Sequence, residues 1–416
     1  MEKSLWRSDG TEAGTFPVKQ GPFSNLTVVN GTLYMIASAE ENGIGAALWK
    51  SDGTPEGTSR VKVPIAGASS YLSKLVGVEG TLFFSASDGR EETQLWKSDG
   101  TAGGTVPVKT GLECIEMLHA GSLHGWLFFM GCDATHGYEP WRSDGTAAGT
   151  VLLKDIQPGP GNSTAHAFTR VGARLVFVAY DEAHGMELWS TDGTESGTQV
   201  LVEMTPGPGN GILMTGDNPV TLLGIQDRPL AIFAGGDEAS GVELWQTDGT
   251  AVGTFRKAEI AAGAVSSSPS AFARLGDRLF FMAGDAAHGR EPRFLAFPKE
   301  LGTIIGTAVA EGSTCTALPQ VTPSCTYNTL APDASFAWTA PSSGTFVFTT
   351  AGSGYDTSLE LSDPVSGGSL GCNDDTEDSL QSSVTRTVTA GQTLIITVDG
   401  YERECGAFRL GIRRLP

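Results

Sequence analysis

A tryptophan followed by an Asp-Gly-Thr turn recurs six times between Trp6 and Trp245, and this repeat constrains the fold more than any other feature of the chain. The copies read LWRSDGTEAGT, LWKSDGTPEGT, LWKSDGTAGGT, PWRSDGTAAGT, LWSTDGTESGT and LWQTDGTAVGT. Their tryptophans are 43, 47, 45, 48 and 56 residues apart. Such spacing is typical of a repeat architecture rather than of a catalytic motif.

Each repeat contains four short segments that are rich in apolar or β-branched residues. In the fourth repeat these segments read FTRVG, LVFVAY, ELWS and TQVLVE. Turn residues separate them, including Asn30-Gly31 at a hairpin and the Asp-Gly-Thr stretch at the third turn. About 45 residues that form four antiparallel strands describe one blade of a β-propeller.

Six hairpins and six tryptophan half-repeats predict an all-β, six-bladed β-propeller over residues 1–300. The chain begins with a half-repeat that has no hairpin, and the last hairpin, RLGDRLFFMAGDAAHGREPRF, has no tryptophan and no Asp-Gly-Thr turn. We therefore expect residues 1–20 to supply the outer strands that residues 270–297 lack. N- and C-terminal half-blades would then close the ring and remove its free sheet edges.

Residues 306–416 have a different composition, rich in Ser and Thr. Alternating apolar residues mark the segments ASFAWTA, GTFVFTT, TSLELSD, SSVTRTVTA, TLIITVDG and AFRLGIR, with Gly-rich turns between them. This pattern predicts a second domain, a jelly-roll-like β-sandwich.

Both parts resemble known bacterial families. The repeats in the first 300 of the 416 residues resemble the ELWxxDGT repeat proteins. That resemblance implies a large secreted or surface protein, and the family has no uniform activity. The segments GYDTSLELSD, GCNDDTED, TAGQTLIITVDGY and GAFRLGI resemble the pre-peptidase C-terminal (PPC) domain. This second resemblance implies a secreted protein whose accessory domain aids export, anchoring or substrate contact.

Charge and cysteine content restrict the partners and the compartment. The formal charge of -20 leaves no basic stripe for nucleic acid or for an anionic membrane surface. No apolar run reaches the roughly 20 residues that span a bilayer, and the chain starts inside a repeat rather than in a signal peptide. We expect a secreted or surface-displayed monomer. The cysteines fit an oxidising compartment, with Cys114–Cys132, Cys315–Cys325 and Cys372–Cys405 as the simplest of several pairings.

The repeated tryptophan is expected to pack between neighbouring blades, where an aromatic ring buries about 150–250 Å². The aspartate of the same motif can accept hydrogen bonds from its own turn, and the glycines permit positive φ. An alternative is that the six tryptophans stack against sugars.

One rim of the propeller collects the candidate binding residues. The loop between strands two and three and the connection to the next blade emerge on the same face, whereas the Asp-Gly-Thr loops emerge on the other. Asp-x-x-His-Gly turns place three histidines on this rim, and the connections add further residues. The candidate binding residues are Tyr71, His136, His184, His288, Asp217 and Asn218. A purely loop-stabilising role for the Asp-x-x-His-Gly turns is the simpler alternative.

Two reactions suit such a rim. His119, His166, Tyr138 and Arg290 break the repeat pattern and are the candidate catalytic residues. They would serve as base, acid and carboxylate clamp in β-elimination from a uronic-acid polysaccharide. Alternatively, the rim carboxylates would protonate a glycosidic oxygen; these are Asp133, Asp181 and Asp285.

The sandwich offers a candidate metal site and no catalytic motif. Asp356, Asp374 and Asp375 are oxygen ligands that suit Ca²⁺, although a solvated acidic turn explains them equally well. The chain has no His-Glu-x-x-His zinc motif. No cofactor is required by the sequence, and Ca²⁺ is the one candidate. The leading hypothesis is an extracellular binding protein for a polysaccharide or another macromolecule. A polysaccharide lyase comes second, ahead of a glycoside hydrolase, and a structural matrix role is the third alternative.

Overall fold

The computed structural model describes residues 3–38, 45–65, 71–87, 93–212, 222–225, 227–237, 240–258, 260–317, 323–326, 331–364 and 367–416. Its regular structure is β-strand apart from one short 3₁₀ turn at Thr314–Thr316. None of the described residues forms a helix long and apolar enough to cross a membrane. Two compact units are present: Met1–Ser270 with Ala283–Glu291, and Ala271–Met282 with Pro292–Pro416.

The first unit begins with a two-stranded sheet and continues with a series of antiparallel meanders, each matching one sequence repeat. The two-stranded sheet consists of β1 (Ser4–Arg7) and β2 (Phe16–Gln20). The first meander consists of β3 (Ser24–Val29), β4 (Thr32–Ser38), β5 (Ala46–Ser51) and β6 (Ser59–Lys62). The second consists of β7 (Tyr71–Leu72), β8 (Val76–Val78), β9 (Thr81–Ser87), β10 (Thr93–Ser98) and β11 (Val106–Lys109).

The next three meanders have the four-stranded order that the repeats predict. The third consists of β12 (Cys114–Leu123), β13 (Trp126–Cys132), β14 (Glu139–Ser143) and β15 (Val151–Leu152). The fourth consists of β16 (His166–Val171), β17 (Arg174–Asp181), β18 (Gly185–Thr191) and β19 (Gln199–Val202). The fifth consists of β20 (Leu223–Ile225), β21 (Leu230–Asp237), β22 (Gly241–Thr247) and β23 (Phe255–Ala258).

Neighbouring meanders pack face to face through apolar clusters. One cluster joins Leu48 of the first meander to Phe84 and Trp96 of the second. Another joins Phe83 of the second to Phe129 of the third. The first strands of successive meanders also contact one another, as β12 and β16 do. Stacked meanders with adjacent inner strands are the architecture of a β-propeller, which confirms the predicted fold class.

The ends of the array differ from the expected half-blade closure. A further sheet has the order β24 (Ser270–Leu275), β25 (Arg278–Asp285) and β26 (Gly289–Ala296). Both edges of β25 are therefore occupied by its own neighbours, so β1 has no edge there with which to pair. Instead β1 and β2 pair with each other, and their Leu5 and Val18 pack against Met35 of the first meander.

The remaining strands form a β-sandwich, as predicted. One sheet has the order β27-β29-β34-β31-β32 and the other has the order β28-β35-β30-β33. Their bounds are β27 Lys299–Gly302, β28 Gly306–Ser313, β29 Ala334–Thr339, β30 Gly344–Thr349, β31 Thr357–Ser362, β32 Ser369–Asn373, β33 Ser383–Val388, β34 Thr393–Gly400 and β35 Ala407–Arg414. Trp338 lies at the centre of the core, edge-on to Phe346 and Phe348 at ring-centroid distances of 5.1 and 5.2 Å.

All six cysteines form disulfides, but two of the three predicted pairings are wrong. Cys114–Cys132 is confirmed, because these residues are direct partners across β12 and β13. The other two bonds are Cys315–Cys405 and Cys325–Cys372. Pairing of β28 with β35 places Ser313 opposite Ala407 and so brings Cys315 to Cys405. Three disulfides indicate folding in an oxidising environment.

Candidate functional site

The Asp-Gly-Thr turn is stabilised by its own side chains. Asp192 Oδ1 accepts hydrogen bonds from the Thr194 backbone N–H at 2.9 Å and from the Thr194 hydroxyl at 2.7 Å. A Cβ on Gly197 would lie 2.1 Å from Asp192 Oδ1, so a larger residue would displace the carboxylate. The hydrogen bonds recur at Asp9, Asp52, Asp99, Asp144 and Asp248. The geometry of this turn therefore accounts for the recurrence of the Asp-Gly-Thr motif along the chain.

Three of the six repeated tryptophans are buried and unavailable for stacking on a ligand. Trp96, Trp141 and Trp189 are only 4–6% exposed, because they pack between neighbouring sheets. Trp189 lies 6.4 Å from Phe177, measured between ring centroids. Trp49 and Trp245 are partly buried, and Trp6 is exposed.

The repeats also contain a buried carboxylate whose role the sequence reading missed. Glu187 accepts backbone N–H hydrogen bonds from Met204 at 3.2 Å and from Thr205 at 3.1 Å. Glu139 and Glu243 make the equivalent bonds in their blades. Burial raises the pKa of Glu187 to about 7, although these N–H groups oppose the shift. The sequence did contain a signal for this role, because a glutamate recurs two residues before the tryptophan in these repeats.

These glutamates fix the rim, because they bind the connection that leads into the next blade. The loops between strands two and three bind the same connections: the Tyr138 N–H donates to Asn162 and the Met186 N–H donates to Asn210, both at 2.8 Å. The expectation that loops and connections share one face is thus confirmed. Asp217 and Asn218 lie outside the described residues.

The Asp-x-x-His-Gly histidines stabilise their own loops. Asp181 Oδ1 accepts the backbone N–H groups of Ala183 and His184, and its carboxylate contacts His184 Nδ1 at 2.8 Å. The hydrogen bond that His184 Nδ1 donates to the Asp181 carboxylate raises the pKa of His184. The same arrangement is present at His136 and His288.

The carboxylate of Asp133 is poorly suited to act as a general acid. Burial opposes ionisation of Asp133, but the N–H groups of Thr135 and His136 overcome it and lower the pKa of Asp133 to about 2. A carboxylate with so low a pKa is ionised at neutral pH and has no proton to donate to a glycosidic oxygen.

His119 and His166 lie together on the inner strands of two neighbouring blades. Their rings are 5.9 Å apart between centroids and are arranged edge to face. The register of β12 shifts between Glu116 and Gly121, and that of β16 shifts between His166 and Thr169. Such bulges re-aim side chains, which explains how residues of two β-strands turn toward each other.

The surroundings of this histidine pair keep His119 neutral. Burial lowers the pKa of His119, and the neighbouring His166 lowers it further, against an opposing effect of Glu116. The charge of Lys74 also lowers the pKa of His119. Lys74 is held near this histidine because its Nζ donates to the Leu118 carbonyl at 2.8 Å.

The tautomer of His166 follows from its hydrogen bond. Nδ1 lies 2.7 Å from the Thr164 carbonyl oxygen, which can only accept, so Nδ1 carries a hydrogen. Nε2 of the neutral ring is consequently an acceptor with a free lone pair. This atom is buried and has no hydrogen-bond partner within the described part of the chain, and His166 as a whole is only 9% exposed.

Tyr138 is linked to this pair through its backbone carbonyl rather than through its hydroxyl, and Arg290 binds other residues. The Tyr138 carbonyl accepts the Thr164 N–H at 3.1 Å, and Thr164 in turn holds His166. Arg290 donates to the Ser268 carbonyl at 3.2 Å and to the Ser270 hydroxyl. Tyr71 lies on β7, the inner strand of the second meander, and its side chain is exposed. The predicted four-residue catalytic set is therefore only partly assembled.

The acidic residues of the sandwich lie close enough to influence one another. Burial raises the pKa of Asp356 to about 6, with further contributions from Asp375, Asp374 and Glu404. Across the described residues, however, no three His, Cys, Asp or Glu side chains are arranged to hold a metal ion. Calcium binding by Asp356, Asp374 and Asp375 stays a prediction.

Comparison with known proteins gives distant structural likenesses only. No protein-family model and no curated protein matches the chain. It is similar to a prolyl endopeptidase at 12% identity and a TM-score of 0.44, covering 67% of this chain and 41% of that one. It is similar to an exo-β-1,3-galactanase from Phanerochaete chrysosporium at 10% identity and a TM-score of 0.30, covering 99% of this chain and 100% of that one.

A third similar structure is the β-propeller domain of the Trilobed protease from Pyrococcus furiosus. It shares 10% identity at a TM-score of 0.37, with 70% of this chain and 90% of that chain covered. The chain spans less than half of the endopeptidase, 41% of its length. At such identities and scores we transfer no activity from these proteins.

Proposed function

We propose that this chain is a secreted or surface-displayed bacterial protein that binds a polysaccharide at the rim carrying His119 and His166. The observation that carries the proposal is the buried, unpaired Nε2 of His166. An unsatisfied buried polar atom costs about 1–3 kcal/mol, and a ligand group that pairs with it recovers that energy.

In the Nδ1–H tautomer of His166, Nε2 only accepts, so the matching ligand group is a hydrogen-bond donor. Sugar hydroxyls are such donors. The exposed rings of Tyr71 and Tyr138 on the same rim suit stacking against a sugar face. A ligand would reach Nε2 when the partly exposed ring of His119 turns aside.

The charge of the chain favours a neutral polymer over a polyanion. The formal charge of -20 repels a uronic-acid polysaccharide at low ionic strength. Secretion is supported by the three disulfides and by the motifs that resemble ELWxxDGT repeats and the PPC domain. The sandwich would then serve as an accessory domain.

A polysaccharide lyase is the second candidate, and the same lone pair favours it, because a general base needs an unprotonated nitrogen. It ranks lower because Arg290, the intended carboxylate clamp, binds Ser268 and Ser270 instead. A glycoside hydrolase ranks below it, since Asp133 is held ionised.

One experiment separates these functions. The protein is incubated with neutral and uronic-acid polysaccharides, and retention, chain length and ultraviolet absorbance are followed together. Retention of an intact neutral polymer is the expected result. Shortened uronic-acid chains with new absorbance would establish the lyase instead, and shortening without absorbance would establish a hydrolase. No retention and no cleavage would leave the matrix role.

A further inference from the structure

The histidine pair on β12 and β16 has a feature that hydrogen bonding to a sugar does not require. A sugar hydroxyl needs one acceptor atom, whereas His119 and His166 supply two imidazole rings in contact with each other. Imidazole nitrogens are common protein ligands of divalent zinc and copper ions. The pair therefore carries the donor atoms of a transition-metal site.

His166 has the hydrogen bonding of a metal-ligating histidine. Its Nδ1–H donates to the Thr164 carbonyl at 2.7 Å. Histidines that bind metals almost always donate the second ring N–H to a carboxylate, a backbone carbonyl or water, which fixes the tautomer and the ring orientation. Nε2 has no hydrogen-bond partner within the described residues, although His166 is only 9% exposed. His166 is thus already oriented to bind a metal ion through Nε2.

The distance between the two rings suits a shared ion. Zinc–nitrogen bonds of about 2.0 Å at a tetrahedral angle put the centroids of two ligating imidazole rings about 5 Å apart. The centroids of His119 and His166 are 5.9 Å apart. A movement of roughly 1 Å would therefore bring both rings onto one ion. Among the described residues, no side-chain hydrogen bond restrains the ring of His119 against this movement.

The charges around the pair permit a cation to bind. Within the described part of the chain, Glu116 and Lys74 are the charged side chains that act on His119. Their effects have opposite signs, and the effect of Glu116 is the larger. The formal charge of the whole chain, -20, also attracts cations.

We propose that His119 and His166 together bind one divalent transition-metal ion that prefers nitrogen ligands, such as Zn²⁺ or Cu²⁺. Water occupies the remaining coordination positions, because no three His, Cys, Asp or Glu side chains of the described residues surround one point. Ca²⁺ and Mg²⁺ do not suit this site, since both take oxygen ligands. The ion enters past His119, which is the more exposed of the two histidines.

Metal binding at this pair does not rest on the polysaccharide proposal, since the ion is a separate ligand. Both ligands would use Nε2 of His166, so a zinc ion would compete with a sugar hydroxyl for the same lone pair. The metal is therefore titrated in the absence of polysaccharide, and either proposal can fail without the other.

Calorimetric titration of the full, chelator-treated chain with zinc chloride tests the site. We expect one tightly bound zinc ion per chain. His119→Phe and His166→Phe each remove one ligand and keep an aromatic ring. Each should weaken zinc binding by more than the roughly 100-fold that loss of an outer-shell partner can cause. The matched control is His288→Phe, which should bind zinc as the wild type does, because His288 Nδ1 contacts Asp285 of its own loop.

Electron paramagnetic resonance of the wild type loaded with one Cu²⁺ per chain counts the ligating nitrogens without any substitution. Coupling to two imidazole nitrogens is the expected spectrum. Coupling to a single nitrogen, no tight zinc site in the wild type, or loss of zinc binding in only one of the two variants would overturn the proposal. Circular dichroism of each variant separates loss of binding from loss of folding.

Discussion

Removing the Glu187 carboxylate should release the connection between the fourth and fifth blades. The side chain is fully buried and accepts the N–H groups of Met204 and Thr205. Glu187→Ala leaves both donors unsatisfied, at about 1–3 kcal/mol each, so the connection should open about 2–6 kcal/mol more easily. A change of about 2 kcal/mol corresponds to roughly a 30-fold change in an equilibrium constant.

The assay is amide hydrogen exchange of Met204 and Thr205, which reports local opening directly. We expect both amides to exchange at least roughly 30-fold faster in Glu187→Ala than in the wild type. Glu195→Ala is the matched control, because Glu195 is exposed and its backbone carbonyl accepts the Thr198 N–H, a bond that the substitution keeps. Unchanged exchange at Met204 and Thr205 in Glu187→Ala would refute the role assigned to the buried glutamates.

Three further predictions follow from the same structure. Gly197→Ala should destabilise its blade by about 1–3 kcal/mol by displacing the Asp192 carboxylate, whereas Gly103→Ala, whose Cβ would meet no atom within 4 Å, should be nearly neutral in denaturant unfolding. The folded-state pKa of Glu187 is raised from 4.5 to about 7, so the native state binds the extra proton between these values. Its contribution to stability should therefore fall as pH rises from 4.5 to 7, and Glu187→Gln should flatten that part of the pH dependence. Cys315→Ser with Cys405→Ser should lower the melting temperature of the sandwich, whereas an unchanged melting curve would contradict a structural role for this bond.

Local chemistry explains which parts of the fold were predictable from the sequence. The Asp-Gly-Thr turn depends on atoms a few residues apart, as in the contact of Asp192 with Thr194. Strand patterning likewise follows from alternation within single segments. The proximity of His119 and His166 was predictable because inner strands of successive blades are neighbours in any propeller.

Features that depend on long-range pairing were not predictable in this way. Closeness in sequence favoured a Cys315–Cys325 bond. The pairing of β28 with β35 instead brings Cys315 to Cys405, and these two residues form the disulfide. Strand β26 forms against β25 although Arg293 stands at the position of the repeated tryptophan. Backbone pairing does not require that ring, so its absence did not mean that the strand was missing.

Calorimetric titration with the neutral polysaccharide that is retained best tests the polysaccharide proposal most directly. It compares the wild type with His166→Phe, which keeps an aromatic ring and removes Nε2. The control is His288→Phe, which removes a histidine that contacts Asp285 of its own loop. We expect His166→Phe to abolish binding and His288→Phe to preserve it. Binding by His166→Phe with wild-type affinity would contradict the proposed role of the rim histidines.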